Sequence, residues 1–192
     1  MKGSDAGGNP AGGLYLRFTP FIAVTRNVRE TGPMSLQLRR VVTGHDAQGH
    51  AKVLIDEQVR NVFSQRAGAF YSVIWTNEGF PANNDGDADP SGKKIGTTID
   101  NGAVFRVVSF GPGVAPRNHR TDSIDYAVVM SGEIDMALDD GVVVHLNAGD
   151  VLVQRGTIHN WINNGSVPCV IAFILVSAKP VTVGGKPLKA QG

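Results

Sequence analysis

Two short segments concentrate the side chains able to do chemistry. The first, GVAPRNHRTDSIDY (residues 113–126), carries His119, Thr121 and Asp125; the second, GDVLVQRGTIHNWIN (residues 149–163), carries His159, Trp161 and Asn163. Residues two apart on a strand share a face, so each trio points to one side of its segment. A carboxylate beside an imidazole raises the charged fraction of a group whose reference pKa is ~6.5. His119 in contact with Asp125 would therefore be an acid–base dyad or a structural pair. Arg106 interrupts the apolar run AVFRVVSF (residues 103–110). If buried, its guanidinium needs an acidic side chain or a substrate carboxylate; at a sheet edge it needs neither. Trp161 either walls a pocket or fills the core. Thr121, Trp161, Asn163 and Arg106 are thus the pocket candidates. Tyr126, opposite in parity to Asp125, faces outward. His145 on a strand, and His45 and His50 beside a turn, read as surface groups.

Strands must position these residues, because no long run has the 3.6-residue period of a capped helix. Short apolar or β-branched runs recur instead, each bounded by Gly, Asn, Asp or Pro. Residues 36–43 and 51–55 read as a hairpin around TGHDAQGH, and residues 69–76 as an aromatic strand. Residues 77–96 form a polar surface loop. Further strands follow at 103–110, 124–130, 133–138, 142–146, 151–154, 159–162 and 167–176, with Asp140-Gly141 the favoured pair for a tight turn. Gly and Pro number 24 and 10 of 192 residues, which fits many short elements joined by turns. Successive strands with short connections predict an antiparallel sandwich or barrel rather than a parallel α/β sheet.

Composition narrows the classes of function. Lys and Arg total 18 against 17 Asp and Glu, a balance that offers no basic surface for nucleic acid or an acidic membrane. The longest apolar run, Cys169–Val176, falls far short of the ~20 residues of a membrane span. A single cysteine excludes an internal disulfide and a cysteine-cluster metal site. With no uninterrupted apolar leader, it places the chain in the cytoplasm. Residues 1–34 read as a disordered or arm-like extension, 35–180 as the folded domain and 181–192 as a C-terminal tail.

The two chemistry-bearing segments resemble the paired motifs of the cupin superfamily. Its first motif, G-x5-H-x-H-x3/4-E-x6-G, is matched by Gly113, His119, Thr121 in the second histidine slot, Asp125 in the glutamate slot, and Gly132. Its second, G-x5-P-x-G-x2-H-x3-N, is matched by Gly149, Gly156, His159 and Asn163, with Arg155 at the proline and one residue fewer. The gap of 16 residues between Gly132 and Gly149 also suits the family. From Arg39 onward the chain looks like a bacterial group of small single-domain cupins with a VVTGHDA opening.

That resemblance implies an all-β fold, a double-stranded β-helix or jelly-roll barrel, with extra N-terminal strands from residues 38–76 on one sheet. It implies a homodimer and a small-molecule ligand in the barrel. Carried over residue by residue, it makes His119, Asp125 and His159 the ligands of a divalent metal, Fe, Mn, Ni or Zn, with no nucleotide or organic cofactor. Two imidazoles and one carboxylate are the set that leaves open positions for substrate or oxygen. The shorter Asp in the Glu slot must reach further. The implied activity is a metal-dependent small-molecule enzyme: oxygenase, isomerase, dehydratase or decarboxylase. The alternative is a non-catalytic binding or sensor cupin without metal.

Overall fold

Strand β11 (Cys169–Ser177) organises the molecule. Cys169, Ile171, Phe173 and Leu175 alternate along it and are all buried, while the residues between them are half-buried. A strand covered on one face and partly covered on the other belongs in the middle of a sheet. It pairs antiparallel with β5 (Gly102–Phe110) on one side and β6 (Ser123–Ser131) on the other. The structure, a computed structural model, describes residues 36–192; the extension expected over 1–34 lies outside the described residues.

Among the described residues, the sheet around β11 has six strands. Strands β3 (Val62–Arg66) and β4 (Ala69–Glu78) extend it beyond β5, and β9 (Val151–Arg155) lies beyond β6. A second sheet of three strands has β7 (Glu133–Ala137) between β8 (Val143–Asn147) and β10 (Asn160–Ile162). Ile134 and Met136 of β7, Leu146 of β8 and Trp161 of β10 join Phe110, Ala127, Ile171 and Phe173 of the larger sheet in one apolar cluster. Each fully buried aliphatic side chain contributes roughly 1.5–3 kcal/mol. The result is an all-β double-stranded β-helix, as expected.

The N-terminal strands divide differently from the expectation that all would join one sheet. Strands β3 and β4 do join it. Among the described residues, strands β1 (Arg39–His45) and β2 (Ala51–Gln58) pair only with each other. The buried Arg40 side chain stands between this hairpin and the rest, donating to Ile74 O at 3.1 Å, Asp89 Oδ2 at 2.6 Å and Glu57 Oε1 at 2.5 Å. A guanidinium bridge thus replaces a backbone ladder. Residues 181–192, read as a tail, hold a hairpin of β12 (Val181–Val183) and β13 (Lys186–Leu188). Beyond it, Gln191 exchanges backbone hydrogen bonds with Arg120 at 2.9 and 3.0 Å.

Candidate functional site

His119 and His159 lie directly opposite each other in an isolated antiparallel bridge, each backbone N–H donating to the other's carbonyl at 3.0 Å. Side chains opposite in such a pair project to the same face. The two rings are accordingly 4.1 Å apart, centroid to centroid, tilted by 47°. Each Nδ1 lies near the carbonyl two residues earlier: His119 to Arg117 O at 3.0 Å, His159 to Thr157 O at 3.1 Å. Only a protonated Nδ1 can make these bonds, so each neutral ring leaves its Nε2 lone pair free.

Both rings line a cavity of about 400 Å³ inside the larger sheet, together with Asp125 and Arg106. Its apolar wall comes from alternate residues of adjacent strands: Val108 and Phe110 of β5, Phe173 and Leu175 of β11, and Trp161 of β10. Register explains the polar positions. Phe173 faces Arg106 across one edge of β11, and Leu175 faces Asp125 across the other. Tyr71 of β4 sits opposite Val108 and carries the Arg106 guanidinium over its ring at 5.3 Å. Thr97 closes that side, with Gly96 O and Thr97 O accepting from Arg106 Nη2 at 2.6 and 2.9 Å.

The electrostatics follow from burial. Desolvation lowers the His119 pKa, with Arg117 and Arg66 adding like-charge repulsion. Desolvation and then the His119 ring push His159 down to about 4. Both imidazoles are therefore neutral at pH 7. Asp125 is raised, chiefly by burial, against the opposing Ser123 hydrogen bond and the Arg106 charge. The Ser123 hydroxyl lies 2.5 Å from Asp125 Oδ1 and 2.8 Å from Thr121 Oγ1. One hydroxyl carries one proton, so Ser123 donates to the carboxylate and receives from Thr121.

The structure sorts the residues expected from sequence. His119, Asp125, His159, Trp161 and Arg106 line the cavity; Thr121 and Asn163 do not. Thr121 acts behind Asp125 through Ser123 and faces a smaller cleft near Ala178. Asn163 is a buried tie: its Nδ2 donates to Phe110 O and Val167 O at 2.8 and 2.9 Å, and its Oδ1 accepts from Gly165 N. Tyr126 and His145 are exposed, His145 against Asp135 at 2.7 Å. Two cavity arginines escaped the sequence reading, Arg66 and Arg117. Arg117 shares parity with His119, which was the available signal; Arg66 sits on a strand with no motif.

Does this donor set suit the divalent metal that the resemblance implied? The histidine pair does: backbone-anchored Nδ1 and free Nε2 are how metal-bound imidazoles are held. The carboxylate does not join them. Among the described residues, no group of three or more His, Cys, Asp and Glu is placed to hold a metal ion. Asp125 is bonded to Ser123 and faced by the Arg106 charge, and three guanidiniums line the same cavity. A dication would meet two neutral donors and a cationic wall. The expected His119–Asp125–His159 centre for Fe, Mn, Ni or Zn is therefore not formed by these residues.

Comparison with known proteins gives the family. A family model described as "Cupin domain" matches residues 106–176, which span both motifs. The chain is 33% identical over 159 residues to the "Cupin-domain-containing oxidoreductase fogC" of Aspergillus ruber, covering 78% of this chain and 77% of that protein. The chain belongs to the cupin family. It is also 31% identical over 161 residues to the cupin-domain-containing oxidoreductase virC of Hypocrea virens, covering 75% of this cupin and 78% of that protein. Both relatives are fungal, so the bacterial affiliation expected from the sequence is not supported. Among solved structures, the cupin is similar to a conserved protein with a double-stranded β-helix domain from Klebsiella pneumoniae. That match has 28% identity and a TM-score of 0.37, covering 40% of this chain and 68% of that one. No helix among the described residues is long and apolar enough to cross a membrane.

Proposed function

We propose that this cupin is a small-molecule enzyme of the oxidoreductase class for which its fungal relatives are named, with the reacting carbon of the substrate seated against His119 and His159. One observation carries the reading: two buried, neutral imidazoles with free Nε2 atoms share a largely apolar cavity sized for a small organic molecule. The aromatic and aliphatic wall holds the body of the substrate and excludes water. An imidazole Nε2 takes the proton of a substrate hydroxyl while the hydride on its carbon passes to a separate two-electron oxidant, dioxygen taken up as co-substrate and reduced to peroxide. The second ring, 4.1 Å away, is placed to share that proton. No step needs Asp125 as a metal ligand. Its carboxyl, shifted toward the neutral form, sits on the same wall as a hydrogen-bonding group.

A second reading has its own support. A ring with a pKa of about 4 is a weak base at neutral pH, which suits a binding pocket without turnover. Panels of aryl and alkyl alcohols and aldehydes, followed by absorbance and oxygen consumption, separate the two. The enzyme reading expects turnover that falls by about 100-fold or more in His119→Ala and in His159→Ala. Calorimetric binding with no turnover across the panel leaves the binding module as the function.

A further inference from the structure

The cavity holds more positive charge than its own acidic groups can answer. Arg66, Arg106 and Arg117 all line it, and Asp125 is the one acidic side chain doing so. Neither Arg66 nor Arg106 takes part in an ion pair among the described residues. Both are held by peptide carbonyl oxygens instead: Arg66 by Ala115 O at 2.9 Å, and Arg106 by Gly96 O and Thr97 O; Arg117 reaches the backbone oxygen of Gly192, the last residue of the sequence, at 2.9 Å. Carbonyls orient a guanidinium without neutralising it. Arg117 also repels both Arg66 and Arg106.

Arg106 is the extreme case. It is 8% exposed, in the middle of a central strand, and its Nε has no hydrogen-bond partner. A buried charge without a counter-charge is costly, and a folded protein normally answers it. Among the described residues Asp125 alone faces it with opposite charge, and no hydrogen bond or ion pair joins the two, while the space beside it is open. Across that space stand Val108, Phe110, Trp161, Phe173 and Leu175, which would welcome a hydrocarbon body and give an inorganic anion nothing.

We infer that the cavity takes a small organic acid, its carboxylate among Arg66, Arg106 and Arg117 and its aryl or alkyl body against the apolar wall facing His119 and His159. This rests on the reading of the cavity as a substrate site and adds the class of molecule. A planar carboxylate matches the guanidinium fork, and each charge-assisted bond is about twice as strong as a neutral one. Seated there, the acid also relieves the repulsion among the three cations. The geometry separates head from body, so the reacting carbon lies beyond the carboxylate, toward the imidazoles.

Calorimetric titration of the full chain, in chelator, tests this with matched probes. Benzoate and cinnamate carry the charge; benzamide and cinnamamide keep the shape without it. The acids are expected to bind at least roughly tenfold more tightly than the amides, the effect of one lost charge-assisted bond. Arg106→Gln removes a core charge and is open to a folding defect. Arg117→Gln, at a half-buried position, is therefore the second variant. It is expected to weaken cinnamate at least about fivefold and leave cinnamamide unchanged. Amides that bind as tightly as acids overturn the inference alone and leave the substrate-site reading standing, as does cinnamate affinity unaltered by Arg117→Gln. Failure of both probe sets to bind overturns the two together.

Discussion

Burial, with the neighbouring His119 ring second, pushes the His159 imidazole down to about 4. In the unfolded chain it returns to ~6.5. Between those values the unfolded state binds a proton that the folded state refuses, so stability is full above ~6.5 and is lost as pH falls toward 4. His119 is shifted in the same direction and adds to the loss. The carboxylates of Asp56 and Glu78 are held low by Arg39 and Lys93, and their contribution is common to any variant. Urea unfolding at pH 7 and pH 4.5 should show wild type losing roughly 2–3 kcal/mol more than His159→Gln. Equal losses would mean that His159 titrates as an exposed residue. The sequence made His119, Asp125 and His159 legible because motif spacing fixed their types and parity. It misplaced Thr121 and Asn163 because parity holds only while a strand continues. The chain breaks its ladder between Thr121 and Ser123, and β10 ends at Ile162, one residue before Asn163. Arg66 and Arg117 escaped because nothing local distinguishes a cavity arginine from a solvated one.

At the scale of elements, the junction of β6 and β7 shows how turns set the register. Gly132 sits between them at φ 74°, and a Cβ there would lie 2.6 Å from Pro168 O and 2.9 Å from Cys169 Cα. Both the backbone angle and the neighbouring start of β11 demand glycine. Gly149 is also left-handed, at φ 94°, but a Cβ there would meet nothing within 4 Å. Gly132→Ala should therefore cost at least ~2 kcal/mol, whereas Gly149→Ala should cost about 1 kcal/mol, the conformational part alone. Thermal unfolding of the two variants checks the ordering; equal shifts would remove the steric argument. Strand β11 and the hairpin at Asp140-Gly141 were legible from apolar runs and turn chemistry. The β12–β13 hairpin was not, although Gly184-Gly185 between Val183 and Lys186 is a hairpin signal. Its strands are three residues long and hold no buried side chain, so the pattern of burial that identifies a strand is missing.

For the molecule as a whole, class and architecture were readable because two motifs and a run of short strands agree on a single fold. The electrostatic character of its interior was not. Overall charge is almost balanced, yet three cationic side chains meet one acidic side chain in the cavity. Composition averages over a surface and cannot show which side chains converge, since that depends on register between strands distant in sequence. The same register brings Cys169, the chain's single cysteine, opposite Phe110, whose ring lines the cavity. The thiol is fully buried, and burial raises its pKa to about 11. Alkylating reagents can then reach it only in molecules whose central strand has come away. The modification rate becomes a clock for opening, and an occupied cavity should slow that clock by the factor 1 + [L]/Kd, about a hundredfold at a hundred times Kd. The protein thus carries its own reporter of occupancy, one that needs neither turnover nor a chromophore.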